Sequence, residues 1–111
     1  MAEKVCAFDD VPVNQALRVV VGGVAIALVK DSAGECHAIG DTCTHGDISL
    51  AEGFVEGDTL ECWAHGSRFS LLSGRPLTLP AYQPVPVFTV TVQGSDVLVD
   101  PTPVPASDLP A

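Results

Sequence analysis

A chain of 111 residues, 47% of them hydrophobic, is long enough to form one domain that buries roughly two-thirds of the surface its unfolded form would expose. A core is then available without a metal to replace it, which argues against a small zinc-stapled fold. Fourteen acids against five bases leave a formal charge of −9, the wrong sign for binding phosphates, so both nucleic acid and anionic membrane surfaces are disfavoured as partners.

The opening Met1-Ala2-Glu3-Lys4-Val5 has no basic segment followed by an apolar one and no small-residue cleavage site. The longest apolar stretch, Val19 to Val29, is broken by Gly22-Gly23 and is too short to span a bilayer. A cytoplasmic protein is expected, with monomer as the default state. Cys6 and Cys36 are then expected as free thiols on strands rather than as a disulfide.

The hydrophobic periodicity is that of short strands. Lys4–Phe8 reads as an edge strand. Leu17–Val21 and Val24–Val29 flank Gly22-Gly23, a two-residue hairpin signal. Asp31-Ser32-Ala33-Gly34 reads as a second turn, leading into a strand at Cys36–Ile39. From Gly40 to Leu72 only brief strand candidates occur, at Phe54–Val55, Thr59–Cys62 and Phe69–Leu71, between glycine-bearing loops. Ser73-Gly74-Arg75 is a turn, and Pro76 through Pro86 is a stiff connector because each proline fixes φ and removes a donor. Val85–Val92 alternates apolar and polar residues, and Gly94-Ser95 turns it back into Val97–Val99. The tail from Pro101 to Ala111 lacks a core-forming pattern and reads as a mobile or loosely docked end. The expected fold is all-β, with two packed antiparallel sheets in a single domain over residues 1–111 and a loop-rich insertion near Asp41–Leu72 that carries a metal.

Two blocks carry the chemistry: Cys43-Thr44-His45 and, sixteen residues further on, Cys62-Trp63-Ala64-His65. Two soft thiolates and two borderline imidazoles make a metal site of mixed ligation. A zinc finger groups its ligands as a cysteine pair and a histidine pair, whereas here each block gives one of each. That grouping suits a two-iron, two-sulfide centre in which one iron takes both thiolates and the other both imidazoles. A structural zinc module for protein interaction is the rival reading.

Cys43-Thr44-His45-Gly46 and Cys62-x-x-His65-Gly66 resemble the paired cluster-binding boxes of Rieske proteins, and the similarity runs from about Val19 to Asp100. The nearest likeness is to the small Rieske ferredoxins of multicomponent aromatic-ring dioxygenase systems, which Asp47–Glu61 and Ser95–Val99 also resemble. The resemblance implies one [2Fe–2S] cluster, with Cys43 and Cys62 on an inner iron and His45 and His65 on an outer one. It also implies a one-electron carrier rather than an enzyme. The donor would be a flavin-dependent, NAD(P)H-driven ferredoxin reductase, and the acceptor a terminal Rieske non-haem iron oxygenase. A small subunit of a nitrite-reductase-like assembly is the alternative within the same family. A Rieske domain detached from an oxygenase is disfavoured, because only His37 remains for a second iron site.

With neutral imidazoles, two ferric ions, two sulfides and two thiolates sum to zero charge, whereas an all-cysteine cluster carries two negative charges. The mixed set therefore accepts an electron more readily, at roughly −150 to +300 mV against about −400 mV for plant-type ferredoxins. High-potential Rieske proteins add a disulfide across the boxes and a Ser and a Tyr after the second histidine. This chain has Ala64 and no cysteine directly following Gly46, keeps Ser67, and has Phe69 at the tyrosine position. The resemblance thus implies the lower half of the range.

Several neighbouring residues carry two readings. Trp63 and Leu50 either shield the cluster from water or simply pack their loops. Pro80, with Leu79 and Ala81, resembles the proline-bearing loop that covers Rieske clusters. Gly46 and Gly66 are expected to let backbone N–H groups approach the cluster sulfurs. Asp41 is expected to close a turn before the first box, and His37 to be structural. Eight acids and no Lys or Arg fall between Asp31 and Ser67. They form either a solubilising surface or a negative field that steers basic partners.

Overall fold

The computed structural model describes residues 2–42, 49–63, 66–77, 84–105 and 108–109. Among the described residues, nine strands form two antiparallel sheets. The larger has six strands in the order β1 (Glu3–Ala7), β9 (Asp96–Pro103), β8 (Val87–Gln93), β4 (Cys36–Gly40), β3 (Val24–Lys30) and β2 (Gln15–Val21). The smaller has β5 (Phe54–Glu56), β6 (Thr59–Glu61) and β7 (Arg68–Ser70). Helix among the described residues is limited to single 3-10 turns at Phe8–Asp10 and Leu50–Glu52.

The β2–β3 hairpin turns at Gly22-Gly23, both in the left-handed region at φ 57° and 81°, as a two-residue loop requires. β1 and β2 are the edges of the large sheet and also approach each other. The sheet therefore curls into an incompletely closed barrel. Its inside is filled by Val11, Val21, Ile26, Leu28, Ala38, Phe88, Val97 and Val99. A register shift between Lys4 and Cys6 turns Val5 and Cys6 towards this same interior, although they are consecutive.

The alternate residues of the central strands point the other way. Ala27, Val29, Ile39 and Val87 join Leu50, Leu60, Cys62, Phe69, Leu71 and Val85 in a second core, between the large sheet and the small one. β3 is thus covered on both faces, which is why its sequence is a nearly unbroken apolar run rather than an alternation. Gly74 makes this junction possible. It sits at φ 72°, and a β-carbon there would collide with the carbonyl of Val85.

The tail departs from the sequence reading. β9 continues through Pro101 and Pro103, the Val104 amide donates to Val87 O at 2.8 Å, and Leu109 packs on the second core. β1 pairs with β9 only as far as Val99. Beyond that point no ladder among the described residues uses that side of β9, so a proline lacking N–H is tolerated there.

Cys6 and Cys36 are free thiols, as expected, and burial pushes both upward in pKa. Lys30, itself buried, closes that end of the barrel by donating to Phe8 O at 2.7 Å, with its ammonium 3.5 Å from the Phe8 ring centroid.

The β3–β4 turn is built on Asp31. Its Oδ1 accepts from the Ala33 and Glu35 amides at 2.9 Å each, and its Oδ2 lies 2.7 Å from His37 Nε2. Burial alone would raise the Asp31 carboxyl, but the hydrogen bond to His37 and then those to the two amides outweigh it and hold the pKa below its ordinary value. A carboxyl depressed in this way stabilises the fold above its unfolded pKa, and the contribution is lost as pH falls through the folded value. Asp31→Asn should therefore cost about 1–2 kcal/mol in urea denaturation at neutral pH, with the gap to wild type closing below about pH 4. A gap that stays constant down to pH 3 would contradict this assignment.

Candidate metal centre

Of the four residues in the two boxes, Cys62 lies within the described region. Cys43, His45 and His65 lie outside it, as do Gly46, Asp47, Ala64, Leu79, Pro80 and Ala81. The described residues do define both points from which the boxes emerge.

The second box leaves the end of β6 and returns into β7. Cys62 N donates to Ser67 O at 2.8 Å and Gly66 N donates back to Cys62 O at 2.9 Å, so the backbone closes this loop on itself. Gly66 takes φ 73°, and a β-carbon there would meet open space. The left-handed backbone, not crowding from described atoms, is what calls for glycine. The Cys62 side chain points inward and is fully buried in the core between the sheets. Ser67 and Phe69 are fully buried beside it, while Trp63 is 50% exposed. Of the two shielding candidates, then, Leu50 is a core residue and Trp63 is not buried.

The first box leaves the end of β4. A bridge between Thr42 and Ser49 forms its neck. Asp41, 3% exposed, sits just below. Its carboxylate accepts from Ser49 Oγ at 2.9 and 2.8 Å, from the Ala51 amide at 3.0 Å and from Arg18 Nε of β2 at 3.1 Å. Its main chain donates to Ala25 O at 3.2 Å and accepts from Leu50 N at 2.6 Å. Asp41 thus does far more than close a local turn.

Leu50, just after the first box, and Cys62, which begins the second, belong to the same buried cluster. The two loops consequently spring from one packed base. A buried thiol at this junction, with one further thiol and two imidazoles in the loops that issue from it, is a donor set suited to a binuclear iron–sulfur centre. The residues fit the group.

Asp31, Glu35 and His37 also bring three ligand-type atoms within 4.8 Å of one another. The Asp31 oxygens are already engaged by two amides and by His37, which supports the structural reading of His37. The run of eight acids divides. Asp31 and Asp41 are buried and internally bonded, and Glu61 pairs with Arg68 at 3.1 Å. Glu35, Glu52, Glu56 and Asp58 remain exposed. The Ser32–Gly57 hydrogen bonds, 3.3 Å from Ser32 N to Gly57 O and 3.0 Å from Gly57 N to Ser32 Oγ, join the β3–β4 turn to the β5–β6 turn and so bring Glu35, Glu56 and Asp58 to one side of the molecule.

Known proteins agree with this geometry. The sequence pattern of the Rieske [2Fe-2S] domain matches residues 2–89. The 3-phenylpropionate/cinnamic acid dioxygenase ferredoxin subunit of Shigella boydii serotype 4 (strain Sb227) is 44% identical over 96 residues, spanning 86% of this chain and 89% of its own. A chain in the complex of reduced oxygenase and oxidized ferredoxin in carbazole 1,9a-dioxygenase superposes with a TM-score of 0.85 at 36% identity, covering 93% of this chain and 95% of that one. The ferredoxin of carbazole 1,9a-dioxygenase from Nocardioides aromaticivorans IC177 gives 0.86 at 28% identity, over 92% and 99%. Fold, buried thiol, paired loop bases and relatives agree: the chain belongs to the Rieske [2Fe-2S] domain family.

Proposed function

We propose that this chain, as a single Rieske domain, is the ferredoxin of an aromatic-ring dioxygenase system. It takes one electron at a time from a flavin-dependent, NAD(P)H-driven reductase and gives it to a terminal Rieske non-haem iron oxygenase. The observation that carries this reading is the common base of the two loops at Cys62 and Leu50, in a chain 44% identical to a dioxygenase ferredoxin subunit. The chain acts as an electron-transfer component, not as a catalyst of its own. In this reading it works as a cytoplasmic monomer. No helix among the described residues is long and apolar enough to cross a membrane.

Cys43 and Cys62 would hold the inner iron and His45 and His65 the outer one, and the bound cluster supplies a site that gains and loses a single electron. The protein contributes the rest. Burial of Cys62 keeps water from the thiolate side. The backbone-closed loop 62–67 and the Asp41 neck hold the two ligand loops in fixed relation. Glu35, Glu52, Glu56 and Asp58 present an acidic surface that draws in basic electron partners while leaving affinity low enough for release.

Two outcomes are expected. Cys62→Ser should purify without the iron, sulfide and visible absorption of the wild type, whereas His37→Gln should keep all three. Full iron and sulfide content in the Cys62 variant would rule out its ligation. Electron delivery to the oxygenase, with reductase and NADH supplied, should slow as ionic strength rises from about 0.01 to about 0.15 M, over which the screening length shrinks from about 30 to about 8 Å. Combining Glu52→Gln, Glu56→Gln and Asp58→Asn should flatten that dependence. If the triple variant is as salt-sensitive as wild type, these acids merely solubilise.

A further inference from the structure

The two loops are secured in different ways. The second is closed by its own backbone, through the reciprocal hydrogen bonds of Cys62, Gly66 and Ser67. The first also has backbone closure, at the Thr42–Ser49 bridge and from Leu50 N to Asp41 O, but one buried side chain adds the ties that the second loop does without. Asp41 reaches β3 through its own amide, which donates to Ala25 O, the outgoing turn through Ser49 and Ala51, and strand β2 through Arg18. These partners lie 8, 10 and 23 residues away in sequence. No local turn preference would assemble them.

From this asymmetry we propose that Asp41 is a positioning residue for the metal centre: its carboxylate sets the place of the first ligand loop relative to the second. The inference rests on the ferredoxin reading above, because it takes residues 43–48 to carry ligands.

The physical reason is the cost of opening the neck. A carboxylate whose side chain is 4% exposed and that accepts from a hydroxyl, an amide and a guanidinium cannot give up those donors without standing unpaired in a buried place. Moving Ser49 or Ala51 away is therefore resisted by hydrogen bonds to a charged acceptor, the stronger kind. Leu50, between them, is fully buried in the core that also contains Cys62. The exit of the first loop is thus fixed to the same packed body as the base of the second. Arg18 extends the tie outward: its side chain is 54% exposed, while the carboxylate it holds is 4% exposed. Removal of Asp41 leaves the backbone bond from Leu50 to residue 41 possible, but frees Ser49 Oγ, the Ala51 amide and Arg18 Nε together.

The test compares anaerobically purified wild type with Asp41→Ala, Asp41→Asn, Ser49→Ala and, as a stability control, Leu28→Ala, which opens the barrel core instead. The readouts are the EPR g values and reduction potential of the reduced proteins, and the half-life of the visible absorption under a chelator. Each half-life is set beside the thermal midpoint of its own protein. Asp41→Ala should displace the g values and potential and shorten the half-life by about tenfold or more, the change in opening equilibrium expected from losing a charge-assisted hydrogen bond. Asp41→Asn, which keeps an acceptor for Ser49 and Ala51, should recover most of the wild-type signature. Ser49→Ala should shift it in the same direction as Asp41→Ala but less. Leu28→Ala should lower the thermal midpoint with g values unchanged. Wild-type g values, potential and half-life in both Asp41→Ala and Ser49→Ala would overturn the proposal, and if Asp41→Ala does not fold, Ser49→Ala and Asp41→Asn decide it. A wild-type protein without a Rieske signal would instead sink the ferredoxin reading, so the two failures are distinct.

Discussion

The core between the two sheets is the constraint on which the site depends. Leu60 and Phe69 of the small sheet meet Ala27, Val29, Ile39 and Val87 of the large one, and the same cluster takes in Leu50 and Cys62. A packed interior tolerates little change in volume. Two loops that would otherwise be free to diffuse relative to each other are therefore rooted in one rigid body. Burying a side chain such as Phe69 or Leu60 contributes about 1.5–3 kcal/mol. That stabilisation also fixes where the chain enters the second box.

The barrel and the small sheet divide the work. The barrel has its own filling, from Ile26 and Leu28 across to Val97 and Val99, and is capped by Lys30 over Phe8. It supplies stability and shows the small sheet one apolar face. In the proposed reading, the small sheet and its flanking loops carry the chemistry. Charge is divided in the same way. Asp31 and Asp41, buried, act as acceptors that organise a turn and a loop neck, while Glu35, Glu52, Glu56 and Asp58 stay in solvent. An electron carrier needs this combination: a site that keeps one geometry in both oxidation states, and a surface whose field acts at the range of a protein encounter.

Features governed by short-range rules were legible in the sequence. The Gly22-Gly23 hairpin, the Asp31–Gly34 turn, the Gly94-Ser95 return and the all-β class follow from turn chemistry and period-two alternation, and the structure has them. The two Cys/His boxes could be proposed as a ligand set from sequence because ligand type and spacing are local too. What stayed hidden depends on distant partners. The buried acids looked like members of a negative surface, since nothing near Asp41 in sequence announces Arg18. Pro101 and Pro103 read as the end of order because a proline usually ends a ladder. They are tolerated because β1 pairs with β9 only as far as Val99, so beyond it no described ladder uses that side of β9. Trp63 could be read as a shield or as loop packing, and only the fold turns it outward.

The central claim is that two rooted loops close on one diiron unit with a thiolate pair and an imidazole pair. The most direct measurement is pulsed EPR of the dithionite-reduced protein, grown with nitrogen-15-labelled histidine and compared with unlabelled protein. Two histidine nitrogen couplings on a single two-iron spin system are expected, one each from His45 and His65. Absence of histidine coupling, or purified protein that carries zinc in place of iron and sulfide, would contradict the account.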